Sequence, residues 1–427
     1  MGRILDTYIA NTPKSAAADV RAQRGVVGGN SRAAAYWHPH PITVAQASGV
    51  RLVDVDGREY VDMVNNYTSL AHSHAYPPIV DAVRTQIERG TGYTANNLWQ
   101  AELAETMIER VASVESVRFT NSGSEAGLLA LTIARVVTGR AKVLMARYGY
   151  HGILMEFEAG SMPELMRNLD GMTHLGEYND PATFERILDS HGHEIAAVVL
   201  EPVMGAGGVV SADPDFLRRV QRATEAAGAL FVLDEVITFR LAEGGAQSLF
   251  GIEPDLTMFG KVIGGGFPVG AVGGKLEHLR IFDPAAPRAF HSGTYCGNPV
   301  TMAAGLVSVQ ELTGARIEIM DRLAERLANG LVTQASNLDL PISINRRGSL
   351  LNLFFTESDP SSASRRDAEK RMDSFHLAAL NHGLMVASRG MMALSTVMDE
   401  ALIDEVIRRA AAAMQDVAEE FRGGAPA

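Results

Sequence analysis

Apolar positions along the chain follow two rhythms. From Val50 to Met63 they alternate with polar ones, which predicts two short strands around an Asp56-Gly57 turn. Further on they form unbroken runs at Lys142 to Ala146, Ile195 to Leu200 and Ala229 to Leu233. Stretches with a helix period separate these runs. In Asp215 to Ala227, the residues Phe216, Leu217, Val220 and Ala223 share one face, and Gly228 marks the stop. Beyond Gly305 the pattern is helical again, Leu350 to Phe355 is strand-like, and Met398 to Phe421 predicts a long closing helix. Residues 1 to about 35 are rich in Ala and Gly with little periodicity, and read as an arm or entry segment.

Continuous apolar strands alternating with helices predict an α/β architecture, a mostly parallel sheet covered by helices on both faces. In such a sheet ligands bind at the carboxyl ends of the strands. The residues that follow each strand therefore carry the chemistry.

Four positions stand out. Phe119 to Ala126 runs a short strand into a helix, with Gly123 and Ser124 at the turn. The unpaired N–H groups and dipole of a helix N-terminus make an anion site suited to phosphate, although a plain Ser/Gly cap reads the same way when this segment is taken alone. Glu201 closes one apolar strand, and Asp234-Glu235 close another. A carboxylate there is costly unless it has a fixed cationic partner, or unless the end of the strand is open to solvent. The fourth is Lys261, set in Thr-Met-Phe-Gly-Lys-Val-Ile-Gly-Gly-Gly. Apolar surroundings lower an amine's pKa and make it a usable nucleophile.

Composition sharpens the choice of lysine. The 38 basic residues are outnumbered by 50 acidic ones, and only Lys14, Lys142, Lys261, Lys275 and Lys370 are lysines. The other four sit in the arm, at a strand start, in a turn and among charges. Lys261 alone suits Schiff-base chemistry. A net charge of −12 without basic blocks argues against nucleic acid and anionic membrane surfaces. No apolar run approaches the roughly 20 residues that span a bilayer, and the lone Cys296 suits a reducing, cytoplasmic setting. His38/His40, His72/His74 and His191/His193 are each two apart with no third ligand legible, so no metal is expected. Phosphate cradle, strand-end carboxylate and apolar lysine together describe pyridoxal 5′-phosphate: its aldehyde needs an amine, its ring nitrogen an anion and its phosphate a helix end.

The chain also resembles a family. Asn121 to Ala126, Tyr150-His-Gly152, Glu201-Pro-Val203, Leu233 to Thr238, Asp255 to Gly266 and His291 to Pro299 match the motifs of class III aminotransferases in order. The resemblance implies a fold type I pyridoxal-phosphate enzyme. A large cofactor domain would span 65–305, and a smaller α+β domain would be built from residues 1–64, which include the arm, and 306–427. It implies Lys261 as the Schiff-base lysine and general base, and Asp234 as the partner of the ring nitrogen. Gly123 and Ser124 would hold the phosphate, Tyr150 and Val236 would flank the ring, and Glu201 would lie near the ring hydroxyl. Thr294 would reach the neighbouring site of a homodimer.

Within the family the pattern is similar to the glutamate-1-semialdehyde aminomutase-like branch, through Asn30-Ser-Arg32, Val53 to Gly57, Gly244 to Gln247 and Gly264 to Ala271. Thr238-Phe239-Arg240 is one residue shorter than the aminomutase pattern, and the stretch after Gly152 is shorter too. Asn30-Ser31-Arg32 and Ser388-Arg389-Gly390 resemble instead the β-amino-acid transaminases. The expected reaction is amino transfer between an amine or β-amino acid and an α-keto acid such as 2-oxoglutarate or pyruvate, with Arg32 and Arg389 as substrate-carboxylate ligands. The alternatives are the aminomutase itself or a racemase using the same cofactor.

Overall fold

A computed structural model describes residues 2–152, 170–356 and 366–422. The contacts divide the chain into two units. One comprises residues 1–67, 72–76 and 318–427, the other 68–71 and 77–317.

The second unit is built on a seven-stranded sheet. Its order is Ser116–Thr120, Gly270–Gly274, Leu256–Gly260, Leu230–Asp234, Ile195–Leu200, Lys142–Ala146 and Thr173–Gly176. Every strand is parallel to its neighbours except Gly270–Gly274, which is antiparallel to both. Four central strands are buried at every residue, and two of them hold the unbroken apolar runs at Ile195 to Leu200 and Ala229 to Leu233. Helix Gly123–Thr138 packs across the sheet through Ala126, Leu129, Ala130, Ile133 and Ala134. Helix Pro214–Ala226 buries Phe216, Leu217 and Val220 as its period predicts, with Thr224 rather than Ala223 as the fourth inward residue. Gly228 follows in the left-handed region (φ 67°), the conformation that ends helices at glycine.

The first unit holds a four-stranded sheet, Val44–Ser48, Arg51–Asp54, Glu59–Asp62 and Leu384–Met385, and a three-stranded one, Ser343–Arg347, Leu350–Phe354 and Met391–Ala393. The strands around Asp56-Gly57 pair antiparallel, as their alternation predicts. The closing helix runs Glu400–Arg422.

The amino-terminal segment departs from the expected arm. It forms helices Arg3–Asn11 and Pro13–Ala22. Ile4 and Tyr8, one turn apart, are both buried; Tyr8 Oη donates to His40 O (2.8 Å), and Arg3 bridges Asp416 and Glu419. Two apolar residues are enough to dock a helix when tertiary partners supply the rest of its surroundings. Among the described residues, no helix is long and apolar enough to cross a membrane.

Candidate active site

The parallel strands of the large sheet end on one edge, where Gly123, Ser124, Glu201, Asp234 and Lys261 lie. Asp234 is the last residue of its strand, and Lys261 follows the neighbouring strand Leu256–Gly260 directly. Glu201 follows Ile195–Leu200 on the other side. Gly123 and Ser124 open helix Gly123–Thr138, capped by Ser122, whose hydroxyl accepts from Glu125 N.

Contacts bind these ends into one constellation. His151 Nδ1 donates to Asp234 Oδ2 (2.9 Å), and Val236 N donates to Asp234 Oδ1 (2.9 Å). Glu201 accepts from Tyr150 N (3.1 Å) and Gly205 N (3.0 Å). Asp234, His151 and Glu201 are all buried. Val236 touches two glycines, its methyl groups lying 3.2 Å from where a Cβ would stand on Gly123 and on Gly260. A Cβ on Gly152 would fall 2.6 Å from Ser124 Oγ, so the Tyr150-His-Gly152 loop sits directly on the helix N-terminus. Lys261 is half-buried and held at φ 50°, a left-handed conformation that a lysine adopts only under constraint.

Electrostatics follow from burial. Burial works against a charge on His151, but the hydrogen bond and charge of Asp234, helped by Glu201, carry its pKa above the ordinary value. Burial pushes Glu201 up to about 7, reinforced by Asp234 and opposed by His151 and two backbone N–H groups. Glu235 corrects the expectation that a strand-end carboxylate needs a cation. It is fully buried, yet its bonds come from Thr238 Oγ1, Ala246 N, and Gln247 N and Nε2, and burial raises its pKa. Neutral donors satisfy it in place of a guanidinium or ammonium.

His151 is the residue that sequence reasoning missed as a participant. It stood inside the quoted Tyr150-His-Gly152 motif, but its partner lies 83 residues away. Thr294 is exposed, between Phe290 (89% exposed) and Tyr295 (68%), and Arg118 anchors the start of its segment by donating to His291 Nδ1 and O (both 2.9 Å).

Arg32 and Arg389 belong to the first unit, and both are exposed. Arg32 Nη1 donates to Asn66 Oδ1 (2.7 Å), and its guanidinium lies 5.3 Å from the centre of the Tyr67 ring. Burial pushes the Tyr67 phenol up, while Arg32 and Arg389, both close enough to act on it, pull it down. Arg32 thus lies over the Tyr67 ring, and the charge of Arg389 also acts on its phenol.

The residues of the large unit fit pyridoxal phosphate. Gly123, Gly152 and Gly260 let Val236 and Ser124 pack closely at the site, a helix N-terminus opens there, and a buried carboxylate and a lysine lie at the ends of adjacent strands. A sequence profile described as aminotransferase class-III matches residues 33–417. The chain belongs to the class III aminotransferases. Enzymes of this family use pyridoxal 5′-phosphate, and their fold is fold type I. The chain is 39% identical over 394 residues to a glutamate-1-semialdehyde 2,1-aminomutase from Myxococcus xanthus, covering 88% of each. It is 37% identical over 393 residues to a β-phenylalanine transaminase from Variovorax paradoxus, covering 90% of this chain and 88% of that protein. The solved structure of an omega-transaminase from Sphaerobacter thermophilus matches with a TM-score of 0.90 at 34% identity, over 94% of this chain and 97% of that one.

Proposed function

We propose that this class III aminotransferase moves an amino group between a β-amino acid, aromatic ones included, and an α-keto acid such as 2-oxoglutarate or pyruvate. The observation that carries this reading is the Arg32 guanidinium over the Tyr67 ring and bonded to Asn66, with Arg389 as a second cation acting on that phenol. One guanidinium beside an aromatic ring, with a second arginine on the same unit, suits an enzyme that takes two different carboxylates in turn, one of which carries an aryl group. An aminomutase keeps one substrate throughout and has less use for a second cation.

In this reading Lys261 would carry the cofactor, and its free amine would move a proton between carbon atoms. Asp234, oriented by His151 and Val236 N, would keep the ring nitrogen protonated. Gly123 and Ser124 would take the phosphate, Tyr150 and Val236 would flank the ring, and Glu201 would face its hydroxyl. When bound, pyridoxal phosphate supplies an electrophilic carbonyl and an electron sink. The remaining work would be positional: holding the substrate carboxylate would select which carbon presents its proton to the free amine. We place the enzyme in the cytoplasm as a homodimer, with Thr294 reaching the neighbouring phosphate. The exposed Phe290 and Tyr295 beside Thr294 support that partner surface.

A panel of amine donors, followed spectrophotometrically in the absence of acceptor, tests the assignment. β-Phenylalanine and β-alanine should convert the cofactor to its amino form, and 1-phenylethylamine should do so poorly. A response to glutamate-1-semialdehyde alone, with turnover independent of keto acid, would make the enzyme an aminomutase. Turnover of a single enantiomer without acceptor would make it a racemase.

A further inference from the structure

His191 has a carboxylate three residues on, at Glu194, and the fold brings a second imidazole, His174, to the pair. His174 stands in strand Thr173–Gly176, His191 ends helix Pro181–His191, and Glu194 closes the turn that leads into strand Ile195–Leu200. The candidate ligand atoms of all three lie within 4.8 Å of one another. Glu194 Oε1 is 3.3 Å from His191 Nδ1 and 3.4 Å from His174 Nε2. The two rings stack, with centroids 4.6 Å apart at 25°.

These distances are long for hydrogen bonds, which favour about 2.7–3.2 Å. They are right for something else. A tetrahedral zinc ion with bonds of roughly 2.0–2.1 Å sets its ligand atoms about 3.3–3.4 Å apart. Two edges of that figure already exist here, and rotation of the half-exposed His191 ring closes the third. The same oxygen also receives Lys142 Nζ at 2.9 Å. A carboxylate oxygen offers about two lone pairs, so three nitrogen atoms crowd an acceptor with room for two.

We propose that His174, His191 and Glu194 form a binding site for a divalent transition-metal ion of the zinc class, completed by water. Two neutral imidazoles and one carboxylate are a borderline nitrogen–oxygen set suited to zinc rather than to calcium or magnesium. Lys142 competes for Glu194 and must swing aside, which its partial exposure permits. The site lies at the start of the strand whose far end carries Glu201, so it is remote from the cofactor cradle. Its effect is mechanical: one ion ties an edge strand, a helix end and a strand entry together.

The test titrates the chelator-treated holoenzyme with Zn²⁺ by calorimetry, and with Co²⁺ by visible absorbance. We expect one equivalent per chain, a four-coordinate cobalt spectrum and a raised Tm. His174→Ala and His191→Ala should each weaken binding at least about tenfold and abolish the Tm shift without changing transaminase activity. Lys142→Ala should tighten binding several-fold by removing the competing charge. Absence of binding, or equal affinity and stoichiometry in the His174→Ala/His191→Ala double variant, would overturn the proposal.

Discussion

His151 and Asp234, 83 residues apart in sequence, meet in the core through a 2.9 Å bond from Nδ1 to Oδ2. An ionised carboxylate only accepts, so Nδ1 carries the proton, and the imidazole fixes the direction in which Asp234 faces. His151→Ala takes this donor away from a buried carboxylate. We expect kcat to fall about 10–100-fold, the usual scale for losing a group that orients a functional one. The visible spectrum of the bound cofactor should become pH-dependent in a range where the wild type is flat. His151→Asn, which keeps a donor, should recover part of both; a spectrum unchanged in His151→Ala would remove the residue from the site.

Lys261→Ala should abolish turnover and the cofactor absorbance near roughly 400 nm. Retained transamination in that variant would sink the lysine's assignment. Lys261 also sits at φ 50°. Lys261→Gly removes the amine but suits that backbone, so it should be more stable than Lys261→Ala by about 1 kcal/mol. Comparing the Tm of the two inactive variants separates the strain from the chemistry.

Arg32→Ala should raise KM for carboxylate-bearing amines and leave 1-phenylethylamine nearly unaffected. Arg389→Ala should act more strongly on one of the two half-reactions than on the other, because the β-amino acid and the keto acid place their carboxylates differently. Equal effects of Arg32→Ala on amines with and without a carboxylate would take it out of the substrate site.

The segment that Arg32 contacts is built under strain. Asn65, Asn66, Tyr67 and Thr68 all have positive φ, at 49°, 50°, 53° and 73°. Such conformations cost about 1–2 kcal/mol per residue and rarely come in runs. Buried bonds hold the turn. Asp62 Oδ1 accepts from Val64 N and Asn65 N, Asn65 Nδ2 donates to Ala393 O (2.7 Å), and Ser73 Oγ donates to Asn65 Oδ1. The result presents Tyr67 and Asn66 to Arg32. Asn65→Ala should raise KM for carboxylate substrates several-fold with a smaller effect on kcat. Asn65→Gly, which fits the backbone but lacks the bonds, should fall in between.

The sequence made some of this visible and hid the rest for physical reasons. Buried parallel strands must be apolar throughout, so Ile195–Leu200 and Leu230–Asp234 announced themselves, and a carboxylate at such an end draws attention. Lys261 stood out because four other lysines had ordinary surroundings. The His151–Asp234 bond was hidden because no local pattern encodes a contact between two separate strand ends. The left-handed run was hidden because asparagine tolerates that region, whereas Tyr67 and Thr68 give no such signal. The helices at residues 3–22 were missed because Ile4 and Tyr8 are their only buried apolar residues, the second helix burying Ser15 instead, and partners that stabilise them lie far along the chain.

Glu201 sets a pH dependence whose sign is fixed by its environment. Burial, with Asp234 nearby, raises its pKa from the ordinary 4.5 to about 7. A carboxyl raised in this way favours the folded protein below its ordinary pKa and loses that contribution as pH climbs through the raised value. The cofactor-free enzyme should therefore lose stability from this group between about pH 4.5 and about pH 7, on the order of 3 kcal/mol. Glu201→Gln cannot titrate. At low pH its Tm should lie below the wild type's, because an amide nitrogen must face one of the N–H groups of Tyr150 or Gly205. The difference between variant and wild type should nevertheless move in the variant's favour from about pH 5 to about pH 8. Thermal midpoints that run parallel across that range would mean that Glu201 is not the group that titrates.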